Sequence, residues 1–108
     1  MRDVKSLEFL SVATADEIAP GERIIVEYGE KWVVIFNVAG AYYAIEDVCT
    51  HDDGPLAEGT LDNCTIECPR HGATFDIRSG KVLTAPALVA VPSYIVKIVN
   101  NEILIAPR

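Results

Sequence analysis

The chain has 108 residues, half of them apolar, enough to bury the core of one domain and, by length, not of two. No run of about 18 or more apolar residues occurs, so no segment reads as a membrane-spanning helix. Nine basic against sixteen acidic residues give a net charge of -7, which disfavours nucleic acid as a partner and suits docking onto a basic protein face.

The opening stretch, MRDVKSLEFLSVATADE, shows no long apolar core followed by a small-residue cleavage site. A cytoplasmic location is expected, and a compact acidic chain of this size is expected to be a monomer. A first strand is expected near Glu8 to Ala13. The segment TADEIAPGE then reads as a turn or a single helical turn, ended by Pro20-Gly21. Next comes ERIIVEYGEKWVVIFNVAGAYYAIED, where apolar residues recur with period two. It predicts strands over Glu22 to Tyr28, Lys31 to Val38 and Ala41 to Glu46. Short turns at YGEK and VAGA make these an antiparallel meander. At the far end, YIVKIVNNEILIAP reads as two strands joined at Asn100-Asn101, because asparagine tolerates positive φ. The first strand is expected to pair with one of them. The aromatic residues Trp32, Phe36, Tyr42, Tyr43, Phe75 and Tyr94 read as β core.

Between Asp47 and Pro92 the chain changes character. Gly54, Pro55, Gly59, Pro69, Gly72, Gly80, Pro86 and Pro92 interrupt short strand-like pieces, CTIEC, ATFDI and KVL. DIRSGKV reads as a tight turn. No helix of convincing length, repeat or low-complexity tract appears. The pattern predicts an all-β domain, an antiparallel sandwich or barrel, carrying a loop-rich insert over about residues 46–86. Loops on a rigid sheet are where function tends to sit.

That insert holds both histidines and all three cysteines. Cys49-x-His51 and Cys68-x-x-His71 are separated by 16 residues, Asp52 to Glu67. Two short clips of soft-to-borderline ligands are the pattern of a metal site, and in a reducing compartment they suggest metal before disulfide. Cys64 lies outside both clips and reads as a small apolar residue in a hairpin. From Lys31 to Arg70 there is no lysine or arginine in between, while Glu46, Asp47, Asp52, Asp53, Glu58, Asp62 and Glu67 all fall there. They could form an acidic collar around the site, or simply a solvated surface. Glu46 and Asp47 are read as surface, since carboxylates suit a sulfide cluster poorly.

Zinc accepts two cysteines and two histidines, so a structural zinc module is one reading. Zinc clips usually pair like with like, however, and here each clip carries one residue of each kind. A mixed pair suits a two-iron cluster in which one iron takes both thiolates and the other both imidazoles.

The two boxes, CTHDDGPLAEGTL and IECPRHGATFDIRSGKVL, resemble those of Rieske-type ferredoxins, which feed electrons to bacterial ring-hydroxylating oxygenases. The resemblance implies a small all-β Rieske domain holding one [2Fe–2S] cluster, with Cys49 and Cys68 on one iron and His51 and His71 on the other. It implies that Pro86 lies in a loop covering the cluster, and that the histidine end sits near the tip of the domain. Rieske proteins of cytochrome bc complexes carry a further cysteine in each box, joined as a disulfide. Gly54 and Arg70 stand at those positions, so that disulfide is excluded here. Ala73 and Phe75 stand where the bc branch has Ser and Tyr. Missing hydroxyl donors imply a potential near the low end of the Rieske range, roughly −150 mV rather than +300 mV.

Counting excludes a complete oxygenase or reductase. An oxygenase needs a second iron site with two more histidines and a carboxylate, and the chain has none to spare. It also lacks a Gly-rich phosphate loop for flavin or NAD. The expected function is a soluble one-electron carrier between a flavin reductase and a terminal non-haem iron oxygenase. The small subunit of another oxidoreductase, of the nitrite reductase type, is the alternative.

Overall fold

The computed structural model describes residues 9–108. Ten strands run in chain order: β1 (Leu10–Thr14), β2 (Arg23–Tyr28), β3 (Lys31–Val38), β4 (Ala41–Glu46), β5 (Thr60–Asp62), β6 (Thr65–Glu67), β7 (Thr74–Asp76), β8 (Val82–Thr84), β9 (Ser93–Val99) and β10 (Glu102–Pro107). A single 3-10 turn at Ala15–Glu17 follows β1. Glu8, where the first strand was expected to begin, lies outside the described residues; the strand itself covers Leu10–Thr14.

Six strands form one antiparallel sheet in the order β1-β10-β9-β4-β3-β2. Its edges β1 and β2 lie against each other, so the sheet nearly closes as a barrel. The meander β2-β3-β4 and the hairpin β9-β10 are where the alternating pattern predicts them. Both central residues of two hairpin turns have positive φ: Ala39 and Gly40 at 53° and 94°, and Asn100 and Asn101 at 51° and 69°. That geometry matches the right-handed twist of the strands it joins. The second sheet, β5-β6-β7-β8, is built entirely from the loop-rich insert.

β3 and β4 form the wall between two cores. In β3, Val33 and Ile35 face the barrel interior with Ala44, Tyr94, Ile103 and Ile105. Val34 and Phe36 face the other way, into a core shared with Ile45, Leu56, Ile66, Phe75, Cys49 and Cys68. A strand covered on both sides loses its polar alternation, which explains the run VVIF. Trp32 departs from the expected core role: its side of the strand end faces solvent and it is 55% exposed.

Three sets of contacts fix the insert, the first of them to the barrel. Arg23 of β2 donates from Nη1 to the carbonyls of Ala57 (2.9 Å) and Gly59 (2.8 Å). Asp47 accepts the N–H groups of Leu56 (2.7 Å) and Ala57 (2.8 Å) on one carboxylate oxygen. Asp47 is thus a scaffold for the loop, not the plain surface residue expected. At the far side, a Cβ on Gly80 would stand 1.8 Å from the Val91 carbonyl oxygen, so only glycine lets residues 85–92 dock on the β7–β8 turn.

Candidate metal centre

Two six-residue loops face each other: residues 49–54 between β4 and β5, and residues 68–73 between β6 and β7. Their backbones close in the same way. The Cys49 N–H donates to the Gly54 carbonyl (2.7 Å) and the Asp53 N–H to the Cys49 carbonyl (2.7 Å). In the second loop the Cys68 N–H donates to the Ala73 carbonyl (2.7 Å) and the Gly72 N–H to the Cys68 carbonyl (3.1 Å). The fifth residue of each loop turns the chain with positive φ, Asp53 at 63° and Gly72 at 80°. Glycine does this freely, and aspartate is among the few others that do.

This shared geometry aims two backbone N–H groups at each sulfur. Those of His51 and Asp52 serve Cys49, and those of Arg70 and His71 serve Cys68. Burial is the largest influence on both thiols and pushes Cys49 up. At Cys68 burial pushes the same way. The N–H groups of Arg70 and His71, the Cys49 thiol and the Arg70 charge together outweigh it and bring that thiol below its ordinary range.

The four residues singled out by spacing come together, and they divide sharply. Cys49 and Cys68 are 0% and 1% exposed. His51 is exposed, and the His71 side chain is 49% exposed. The two imidazoles meet edge to face with centroids 4.8 Å apart. Asp52 lies between the pairs: a carboxylate oxygen is within 4.8 Å of both sulfurs, and one is within 4.8 Å of a nitrogen of each histidine. Two buried thiols with backbone donors suit one metal as thiolates, and two exposed imidazoles suit a second beside it. The donor set fits a mixed-ligand two-metal group.

Sequence spacing missed the residues that hold the loops. Arg70 donates from Nε to Asp52 Oδ2 (2.6 Å) and from Nη2 to Oδ1 (3.1 Å). Its hydrogen bonds hold the Asp52 carboxyl well below the usual carboxylate range. The only signal in the sequence was Arg70 itself, the first strong base after a long acidic stretch. Of the acidic residues in this stretch, only some are free to form a collar. Asp53, Glu58, Asp62 and Glu67 are exposed, but Asp47 and Asp52 are committed to internal bonds and Glu46 lies 3.7 Å from Lys31. The segment containing Pro86 reaches the first loop, with the Thr50 hydroxyl donating to the Val89 carbonyl and Ala87 buried in the same core as the two sulfurs. Leu88 and Val89 remain exposed beside it. Cys64 is half-buried and free at the β5–β6 turn.

A family profile described as the Rieske [2Fe-2S] domain matches residues 8–95. The chain belongs to the Rieske [2Fe–2S] domain family. Its cofactor is accordingly one Rieske [2Fe–2S] cluster. The biphenyl 2,3-dioxygenase ferredoxin component of Rhodococcus jostii (strain RHA1) is 34% identical over 94 residues, covering 87% of this chain and 88% of that protein. The ferredoxin of carbazole 1,9a-dioxygenase from Nocardioides aromaticivorans IC177 superposes with a TM-score of 0.87 at 31% identity, covering 93% of this chain and 98% of that one. A ferredoxin solved in complex with the oxygenase of a carbazole 1,9a-dioxygenase gives a TM-score of 0.84 at 34% identity, covering 91% and 92%. These relatives of the Rieske domain are electron-carrying components of multi-component dioxygenase systems, not catalytic subunits. Among the described residues no helix is long and apolar enough to cross a membrane.

Proposed function

We propose that Cys49 and Cys68 bind one iron of the cluster and His51 and His71 the other. We further propose that the chain carries single electrons from a flavin reductase to a terminal non-haem iron oxygenase in the cytoplasm. The observation that carries this reading is the division of the site into two buried sulfurs and two exposed imidazoles. The relatives named as dioxygenase ferredoxin components, one of them solved with its oxygenase, support the direction of transfer.

When bound, the cluster supplies storage for one electron. The chain's own residues do the rest. Leu56, Ala73, Phe75 and Ile66, all 0% exposed, exclude water from the thiolate side. The backbone N–H groups aimed at the sulfurs stabilise negative charge there. Ala73 and Phe75 bring no hydroxyl to add to them, which keeps the midpoint potential low, roughly −150 mV. His51 and His71 present their rings at the surface, the short route to a partner's redox centre. The exposed Asp53, Glu58, Asp62 and Glu67 favour a basic partner face and a brief encounter weakened by salt.

The test is an absorption and low-temperature EPR spectrum before and after dithionite. A brown protein with a rhombic signal of average g below 2 on reduction is expected. Substituting either histidine by cysteine should shift the signal and lower the potential. A colourless protein holding stoichiometric zinc would overturn the reading in favour of a structural metal module.

A further inference from the structure

Asp52 is placed as a rival ligand. One of its carboxylate oxygens lies in ligand range of both histidines, and Oδ2 is 3.5 Å from His71 Nε2. Two histidines and one carboxylate on one face make a complete site for a single iron ion, and no sulfide is needed to fill it. Three charged or polar donors instead occupy this carboxylate. Arg70 grips both oxygens with Nε and Nη2, and the Gly54 N–H adds a bond to Oδ1 at 2.9 Å. A planar guanidinium matches a carboxylate with two parallel bonds, which a point charge such as lysine cannot do.

The grip has a built seat. A Cβ on Gly54 would lie 2.6 Å from the Arg70 Cζ and 2.8 Å from its Nε, so the missing side chain is what lets the guanidinium lie there. Arg70 comes from the second loop and Asp52 from the first, so the pair also spans the site.

We infer that Arg70 is a positioning residue that withholds the Asp52 carboxylate from the metal held by His51 and His71, so that the site takes up a [2Fe–2S] cluster in preference to a single ion bound by His51, Asp52 and His71. This rests on the ligand reading above. It makes an asymmetric prediction. If the ion pair merely ties two loops, losing either partner does equal harm. If Arg70 withholds a rival ligand, losing Arg70 harms the site while losing Asp52 removes the rival.

The experiment compares the full chain with Arg70→Gln, Asp52→Asn and the double variant, each purified from iron-replete cells. Iron and acid-labile sulfide are counted, EPR spectra are taken as isolated, and cluster loss to an iron chelator is timed. Arg70→Gln should fall below the one sulfide per iron of an intact cluster. It should also show a mononuclear high-spin iron signal and lose its cluster about tenfold faster. Asp52→Asn and the double variant should keep the wild-type sulfide-to-iron ratio and stay within about twofold of its chelator lifetime. An Arg70→Gln protein matching wild type overturns the inference. So does an Asp52→Asn or double variant as damaged as Arg70→Gln; if Arg70→Gln alone folds too poorly to purify, an Asp52→Asn or double variant below the wild-type sulfide-to-iron ratio overturns it instead. Failure of the underlying ligand reading looks different: wild type itself would then contain no sulfide.

Discussion

Replacing Arg23 by Met should loosen the cluster insert while leaving the barrel intact. Both hydrogens of Nη1 are used, one on the Ala57 carbonyl at 2.9 Å and one on the Gly59 carbonyl at 2.8 Å. Hydrogen bonds from a charged donor contribute about 1.5–3 kcal/mol each. The site is partly buried and water can partly replace the donor, so the low end applies to each bond. The guanidinium also sits 5.5 Å from the Phe36 ring centroid, worth about 0.5–1 kcal/mol. Met keeps the stem packing and removes the charge. Two bonds at the low end and the ring contact give an expected loss of about 3.5–4 kcal/mol, a roughly 300- to 700-fold rise in local opening at 1.4 kcal/mol per decade. Native-state hydrogen exchange reads this directly. The Gly59 amide, bonded to the Leu56 carbonyl at 2.9 Å, should lose protection by that factor. Amides of β3 deep in the barrel should change far less. Gly59 protection within threefold of wild type would refute the reasoning and assign the anchoring to Asp47 instead.

Three further outcomes follow from the same geometry. Gly80→Ala forces a Cβ to 1.8 Å from the Val91 carbonyl at a φ of 82°, and should cost more than about 4 kcal/mol, seen as a Tm at least about 15 °C lower or as insoluble protein. Asp76 is held below its ordinary value of 3.8 by its hydrogen bonds to the Arg78 side chain. Its stabilising contribution is therefore complete above the unfolded value and is lost as pH falls below it towards the folded one. Urea midpoints between about pH 5 and 2.5 should fall less steeply for Asp76→Asn than for wild type, and parallel slopes would contradict this. Cys64→Ser should leave iron and sulfide content unchanged and shift stability by under about 1 kcal/mol, because the thiol is half-buried at a turn and apart from the clips.

The barrel was legible because its strands alternate and its turns carry glycine or asparagine where positive φ is required. β5 was not expected: Thr60–Asp62 is three residues long, mostly exposed, and without periodicity. Trp32 was misread because it sits at the end of β3, where burial begins only at Val33, and sharing parity with the buried Val34 and Phe36 does not show where their cover ends. The two clips were legible because a pair of ligands needs only a local turn, and spacing is a local property. What holds the clips in place was not. Arg23 reaches partners 34 and 36 residues away, and Arg70 reaches back 18. Arginine and aspartate are ordinary surface residues by type, and only the fold reveals which ones tie distant segments together.

The matching closure of residues 49–54 and 68–73 has a consequence for construction. Each loop is a self-contained cassette: one cysteine, one histidine, two internal backbone bonds, and two N–H groups already turned towards the sulfur. The histidine occupies the third residue in one and the fourth in the other, so the cassette tolerates a one-residue offset without changing its backbone. Such a unit asks little of its host beyond two strand ends at the right separation and an apolar floor. Transplanting both cassettes onto another small β scaffold is a realistic route to a mixed-ligand metal site, and the glycine and arginine that span them should travel together.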